Sequence, residues 1–338
     1  MKGQLAAWVN TAWYGGTRWL LPLAPLARLT GCIAARRLRR FRARNERPPV
    51  PVLVVGNITV GGTGKTPLVA ALCKAAAELG LSVVVISRGY GARPPSWPWR
   101  IDPYQPASLN GDEPLLLAQL TGAPVIIDPQ RRRALQAAVA LQPDLVISDD
   151  GLQHYPLPRT AELVVLDGVR GLGNGLCLPA GPLREPATRL QEVDWLVVNG
   201  GAHSAWPGAT PMQLVPDGVV NAVTGQQLSL EQFTRQFVAV HAAAGIGHPE
   251  RFFSVLTRAG LQVSPHVLPD HYVFQPGDLD FPGTLPVVIT EKDLVKCDHF
   301  VTERVWVLPV RAELPPGFAG TVLRTLVERH QRGAQSAQ

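Results

Sequence analysis

Lys65 and Thr66 close a glycine-rich stretch that follows an apolar, β-branched run, and residues 52–67 read VLVVGNITVGGTGKTP. Strand, tight loop and helix start, in that order, aim several backbone N–H groups at one point, where phosphate oxygens bind. Lys65 would reach the β- and γ-phosphates of a nucleotide, and the Thr66 hydroxyl would ligate Mg²⁺. The candidate nucleotide-binding residues are therefore Thr59, Val60, Gly61, Gly62, Thr63, Gly64, Lys65 and Thr66. The match to G-x-x-x-x-G-K-[ST] departs at its first glycine, whose place is taken by Thr59. Pro67 is compatible with the first turn of a helix. The competing reading is an ordinary glycine-rich turn between strand and helix.

Carboxylates supply the next chemistry. Asp149-Asp150 ends the apolar run 145–148, and an acidic residue delivered beside a phosphate loop can hold a metal opposite the loop hydroxyl. Mg²⁺ uses one or two carboxylates and keeps several waters, so such a pair suffices. Asp-Asp-Gly also favours a plain turn. Asp112 and Glu113 precede Pro-Leu-Leu-Leu, so Asp112 stands where a helix N-cap belongs. The same carboxylate could act as a base toward a substrate hydroxyl. Thr66, Asp149, Asp150 and Glu113 form the candidate metal set. His154, His248 and His271 each follow a turn signal, without metal-ligand spacing to one another. Asp270-His271 would let a carboxylate orient an imidazole. Arg88, Arg131 and Arg184 fall at element ends, where positive charge could meet a transferred phosphate; a surface role is the alternative. Thr290-Glu291-Lys292-Asp293 reads equally as a capping box or a charged loop.

The elements that must position these residues are those of an α/β protein. Strands are predicted at 51–55, 82–86, 125–127, 145–150, 163–167 and 195–198, and helices at 66–79, 111–120 and 131–141. Short apolar strands alternating with helices imply a parallel sheet covered on both faces, with ligands at the carboxyl ends of its strands. Residues 94–106, rich in Pro and Trp, are expected to be irregular. Residues 200–227, rich in Gly, Pro, Thr and Asn, are expected to form a linker. Strands at 237–242, 286–290 and 305–309, with helices at 250–259 and 320–329, then make a second α/β unit. The expected division is a membrane-associating segment at 1–47, a P-loop NTPase-like core at 48–215 and a smaller C-terminal α/β domain at 216–338.

With 338 residues, 46% of them hydrophobic, the chain has ample material for two cores. A net charge of +6 points to polyanionic partners or an anionic membrane surface. Four scattered cysteines with no C-x-x-C suggest neither a zinc site nor a disulfide framework. Residues 1–30 carry Trp8, Trp13, Tyr14 and Trp19, but Arg18, Pro22, Pro25 and Arg28 interrupt them and argue against a signal peptide or a spanning helix. The stretch 35–44, ARRLRRFRAR, follows directly. Aromatics beside an arginine cluster suit a helical segment lying in the interface of an anionic bilayer; packing on the protein's own core is the alternative. No nucleic-acid-binding signature accompanies the arginines.

Nine motifs occur in one order: GNITVGGTGKTP, SRGYG, GDEP, SDDGLQHY, LDGVRGLGNGLCLPAGPLREP, VNG, GIGHPERFF, PDHYVF and TEKDLVKC. The series resembles the tetraacyldisaccharide 4′-kinase family, the lipid A 4′-kinases of Gram-negative bacteria, from about residue 56 to 297, including the variant loop with Thr at the first glycine. The resemblance implies transfer of the ATP γ-phosphoryl to the 4′-hydroxyl of tetraacyldisaccharide 1-phosphate, giving lipid IVA. It implies a monotopic or peripheral enzyme at the cytoplasmic face of the inner membrane, with no obligate protein partner. By motif, Lys65 and Thr66 correspond to the phosphate and Mg²⁺ residues, and Asp149 and Asp150 to the metal-proximal carboxylates. Asp112 corresponds to the catalytic carboxylate and His271 to the histidine that works with it. Tyr90, Arg131, His154 and Arg184 match positions near substrate or phosphates. A P-loop NTPase acting on a protein partner at the membrane would share the loop and Asp149, but would not need the aromatic N-terminus.

Overall fold

The computed structural model of the chain describes residues 2–15, 19–44, 46–201 and 206–335. Arg18 and residues 202–205 of the expected linker lie outside them. Two N-terminal helices, α1 (Lys2–Tyr14) and α2 (Ala24–Arg44), precede the first sheet. The chain then runs through β1 (Val52–Gly56), α3 (Lys65–Glu78), β2 (Val83–Ser87), β3 (Trp99–Arg100), α4 (Ala107–Asn110), α5 (Asp112–Thr121), β4 (Val125–Ile127), α6 (Arg131–Val139), β5 (Leu145–Asp149), β6 (Ala161–Asp167), β7 (Trp195–Asn199) and β8 (Thr210–Pro216). A second series follows: β9 (Val219–Asn221), β10 (Gln227–Leu228), α7 (Leu230–Gln236), β11 (Ala239–Ala244), α8 (Pro249–Arg258), β12 (Gln262–Val267), β13 (Val287–Thr290), α9 (Glu291–Leu294) and β14 (Val305–Leu308). The chain closes with β15 (Val310–Glu313) and α10 (Phe318–Gln335).

Among the described residues, nine strands form one sheet in the order β15-β8-β7-β6-β1-β5-β2-β4-β3. From β8 to β4 the pairings are parallel, and β15 and β3 close the edges antiparallel. Strand residues alternate between faces, so Leu53 and Val55 of β1 join the core under α3, α5 and α10, whereas Val52 and Val54 join the core on the opposite face with α6 and Ala27 of α2. Burial on both faces explains why β1, β2 and β5 are continuous apolar runs. The order reverses at β1, which lies between β5 and β6. Such a switch opens a crevice at the carboxyl ends of the strands, where ligands bind.

The second sheet has the order β10-β9-β14-β13-β11-β12, with a core built on Phe233, Val240, Leu256, Val288 and Trp306. Its extent corrects the expected C-terminal domain of 216–338. β15 pairs with β8 of the first sheet, and Val322, Leu323 and Leu326 of α10 are fully buried in the core of α3. Burying each of these leucines contributes about 2 kcal/mol, which holds the chain end on the first sheet. The expected linker at 200–227 also carries β8 and β9, and the expected irregular stretch at 94–106 carries the short edge strand β3.

The two sheets exchange chain at adjacent crossings, 216–219 and 308–310, tied by Asp217 N–H donating to the Pro309 carbonyl at 2.9 Å. Glu291 seals the junction by accepting the Val310 N–H at 3.1 Å. Burial, reinforced by Asp217, pushes its carboxyl up from 4.5 to about 7. Between those values the folded chain holds a proton that the unfolded chain has released. The associated stability is complete below pH 4.5 and lost as pH rises through 7. Glu291→Gln keeps the acceptor and removes the titration. We expect it to flatten the decline in melting temperature between pH 4.5 and 7 in thermal scans, and to stabilise the protein at pH 8 by on the order of 1–3 kcal/mol.

Candidate functional site

The phosphate loop leaves β1 at the order reversal and enters α3 at Lys65. Gly64 caps that helix with φ 91°, a left-handed conformation in which a side chain is strained, and a Cβ there would lie 2.7 Å from Asn199 Nδ2. Thr59 explains the departure from the usual loop pattern. It forms a β-bridge with Leu183, flanked by Val60 N–H donating to Pro182 O at 2.9 Å and Arg184 N–H donating to Ile58 O at 2.7 Å. This half of the loop is extended backbone, where β-branched threonine is at home. The same pairing delivers Arg184, whose Nη1 lies 3.1 Å from Asp150 Oδ1.

Asp149 and Asp150, adjacent in sequence, differ in environment. Asp150 turns out of β5 with φ 46° and faces Lys65 Nζ at 3.5 Å as well as Arg184, and its carbonyl accepts from Arg131 Nη2 at 3.4 Å. Burial works against its charge, but Lys65, Arg184 and Arg131 outweigh it and hold the carboxyl below its usual value. Asp149 is buried with Oδ1 unpartnered among the described residues. Burial, aided by the field of Glu113, pushes its carboxyl up to about 7. A buried carboxylate oxygen without a donor suits a cation. No group of three or more His, Cys, Asp or Glu suited to a metal occurs among the described residues.

Sequence places Asp112 and His271 on different units, and the fold joins them: His271 Nδ1 lies 3.2 Å from Asp112 Oδ2. The cap expected at Asp112 is instead Gly111, and Asp112 is the first residue of α5. A Cβ at Gly111 would lie 2.9 Å from the Tyr90 carbonyl, so glycine permits the close approach that turns Asp112 into the cleft. His271 has φ 58°, its N–H donates to Asp270 Oδ1 at 3.1 Å, and the Tyr90 ring lies 5.1 Å from its own. Beside this pair Lys292 Nζ meets Glu113 Oε1 at 2.9 Å and Asp270 Oδ1 at 3.4 Å. Burial opposes its charge, but Glu113, Asp270 and Asp112 more than offset it. Thr290 caps α9 by accepting the Asp293 N–H, and the buried Asp293 accepts the Gly245 N–H. The 290–293 motif is thus a cap that also anchors the 245–249 loop.

Arg131 and His154 line the same cleft. Burial, with Arg88 adding repulsion, lowers Arg131 to about 10 against the pull of Asp149 and Asp150. Burial and then Arg131, Arg159 and Arg88 lower His154 to about 4, so its imidazole is neutral at physiological pH. Sequence reasoning assigned no role to Asn199, Arg251 or Arg170. Asn199 Nδ2 donates to the Thr63 carbonyl at 3.0 Å, and Asn199 Oδ1 accepts from Arg251 Nη2 at 3.2 Å. The available signal was position: Asn199 ends an apolar strand, as Asp149 does.

The family model described as tetraacyldisaccharide-1-P 4′-kinase (LpxK) matches residues 18–327. A tetraacyldisaccharide 4′-kinase of Alcanivorax borkumensis is 54% identical over 95% of this chain and 98% of its own. That of Azotobacter vinelandii is 52% identical over 91% and 93%. The crystal structure of LpxK from Aquifex aeolicus in complex with ATP superposes with a TM-score of 0.73 at 27% identity, covering 92% of this chain and 99% of that one.

Asn199 holds the phosphate loop through one buried hydrogen bond. Asn199→Ala is expected to weaken nucleotide binding about tenfold, the equivalent of one such bond and its unpaired partner, with the fold retained. Titration of a fluorescent ATP analogue alongside a thermal melt checks this, and unchanged affinity would remove Asn199 from the site.

Proposed function

The chain belongs to the tetraacyldisaccharide-1-P 4′-kinase family, and on that premise we propose how its residues carry out the reaction. The enzyme transfers the γ-phosphoryl group of ATP to the 4′-hydroxyl of tetraacyldisaccharide 1-phosphate, giving lipid IVA in lipid A biosynthesis. The observation that carries the residue-level reading is the Asp112–His271 contact beside the phosphate loop. Because Nδ1 of His271 is engaged with Oδ2 of Asp112, Nε2 of His271 and Oδ1 of Asp112 are the atoms left to take the hydroxyl proton. The 4′-oxygen then forms a bond to the γ-phosphorus, the bond from that phosphorus to the β–γ bridging oxygen breaks, and ADP leaves.

Lys65 meets the β- and γ-phosphates, and the backbone of 59–64 surrounds them. Thr66, Asp149 and Glu113 would hold Mg²⁺, supported by the orphaned Asp149 oxygen, while Asp150 is committed to Lys65 and Arg184. The bound ion would neutralise charge on the β- and γ-phosphate oxygens. Arg88, Arg131 and Arg184 add positive charge for nucleotide and lipid phosphates. Tyr90, beside His271, and the neutral His154 complete the acceptor side of the cleft.

We assign the enzyme to the cytoplasmic face of the inner membrane as a peripheral or monotopic protein. Among the described residues no helix is long and apolar enough to cross a membrane. One stripe of α2, Ala27, Gly31 and Leu38, packs on the core, whereas Leu26, Leu29 and Ile33 are exposed. Trp8 and Trp19, also exposed, stack with centroids 3.7 Å apart. This apolar surface ahead of the arginines of α2 suits an interface that is greasy below and anionic above.

Mass spectrometry of tetraacyldisaccharide 1-phosphate incubated with protein, ATP and Mg²⁺ in micelles is expected to show one phosphate added at the 4′ position, and none with Lys65→Ala. Asp112→Ala and His271→Ala are each expected to lower kcat by about 10²–10⁴-fold with nucleotide affinity within about threefold. The double variant should be no worse than the poorer single one, because the pair acts as a unit. Equal loss of turnover and ATP binding in Asp112→Ala would make that residue structural. Separately, L29E/I33E is expected to reduce cosedimentation with phosphatidylglycerol vesicles at least about tenfold; equal sedimentation of both proteins would place the membrane contact elsewhere.

A further inference from the structure

Arg170 has no part in the assignments above, yet it touches three separate parts of the molecule. It lies in the loop after β6, where buried Asp167 fixes the backbone by accepting the Val169 and Arg170 N–H groups at 2.9 and 3.1 Å. Its guanidinium lies over the Tyr14 ring of α1, with Cζ 5.3 Å from the centroid. Its Nη2 donates to the Gly247 carbonyl of the second sheet's loop at 3.4 Å. Its Nη1 is 3.1 Å from the point where a Cβ of Gly61 would stand, at the tip of the phosphate loop. Gly247 itself faces that tip, since a Cβ there would be 3.8 Å from the Gly62 nitrogen.

The helix end is bound to the same loop independently: Asn174 N–H donates to the Trp13 carbonyl at 2.8 Å, and Trp13 Nε1 donates to Pro179 O at 3.3 Å. Among the described residues no carboxylate is in ion-pair distance of the Arg170 guanidinium. Its partners are an aromatic face and a carbonyl, and a planar guanidinium can lie over the first while an edge N–H reaches the second, a simultaneous contact that a compact ammonium reproduces poorly.

We propose that Arg170 is a positioning residue for the transfer reaction. Held from one side by Tyr14 of the membrane-facing helix, it keeps the 245–249 loop seated on the phosphate loop, so that docking of α1 and assembly of the two-sheet cleft are mechanically one event. The 245–249 loop is anchored through Gly245 to Asp293, next to Lys292, and Lys292 reaches Glu113 and Asp270. Seating this loop therefore also sets where Asp270 and His271 stand. The inference rests on the kinase reading, because its measured quantity is turnover on the lipid acceptor.

The test is a double-mutant cycle in the full-length protein, with tetraacyldisaccharide 1-phosphate in micelles, ATP and Mg²⁺. Absence of product from folded wild-type protein would defeat the kinase reading and is recognised before any variant is compared. Arg170→Ala is expected to lower kcat about tenfold, with affinity for a fluorescent ATP analogue changed less than about threefold. Its melting temperature should stay within about 2 °C of wild type, as suits a partly exposed side chain. Tyr14→Leu should lower kcat about threefold in the presence of Arg170, and should add nothing to Arg170→Ala. Arg170→Lys, which keeps the charge and loses the planar fork, should recover less than half of the lost turnover. Multiplying losses in the double variant would overturn the coupling to α1. A loss confined to nucleotide affinity, or full recovery by lysine, would make Arg170 a phosphate contact instead and overturn the positioning role.

Discussion

Asp149 is the constraint around which the cleft is organised. A carboxylate at the end of a buried strand, with one oxygen lacking any donor, is costly to keep charged. No side chain among the described residues donates to that oxygen, and the charges of Lys65 and Arg131 relieve it only in part, while Lys65 and Arg184 pair with its neighbour Asp150. The basic groups are spent on Asp150, and Glu113 makes the field at Asp149 more negative still. Such a site suits a cation carried with the nucleotide, and in the mechanism we propose that ion would favour the charged form of Asp149.

The two sheets divide the chemistry between them. The first provides the phosphate loop, the metal-facing carboxylates and Asp112. The second provides His271, Asp270 and Lys292. Neither half is complete alone, and Lys292 bridges Glu113 of one to Asp270 of the other. In the mechanism we propose, a dyad split across the two sheets would make proton acceptance depend on their apposition. At this junction Gly247 faces Gly62, and a Cβ on Gly247 would lie 3.8 Å from the Gly62 nitrogen, an ordinary contact distance.

Much of the first sheet was legible because its strands are buried on both faces and therefore appear as unbroken apolar runs. β12, reading QVSPHV, was not legible: it is an edge strand, largely exposed, with no apolar stripe to betray it. β8, reading TPMQLVP, carries prolines that argue against a strand. It forms because its first half pairs with β7 and its second with β15, a division of labour fixed only when the chain end returns. The return of β15 and α10 to the first sheet was hidden for the same reason, since an amphipathic helix does not announce which sheet it will cover. In the site, phosphate-loop chemistry is local and was readable from spacing. The Asp112–His271 contact spans 159 positions, and only the resemblance paired those residues. Asn199 and Arg170 donate to backbone carbonyls and Arg251 to the Asn199 side chain, and no residue-type pattern marks such contacts.

The N-terminal helices show why a lipid kinase would build its membrane surface from this part of the chain. Gly31 of α2 packs against Pro186 and Cys177, with a would-be Cβ 3.3 Å from Pro186 Cγ. That segment leads directly back to Arg184, Leu183 and the bridge to Thr59. On the far side, α1 is held to the 170–180 loop, which borders the tip of the phosphate loop. The helices that present Leu26, Leu29, Ile33 and Trp8 outward therefore rest inward on the two segments that frame the nucleotide site. A substrate whose acyl chains remain in the bilayer must offer its 4′-hydroxyl at a fixed height above the hydrocarbon. If the helices dock as we propose, tying the phosphate loop to them through short segments would set that height for the enzyme as well, so that positioning of the acceptor would be a property of the fold.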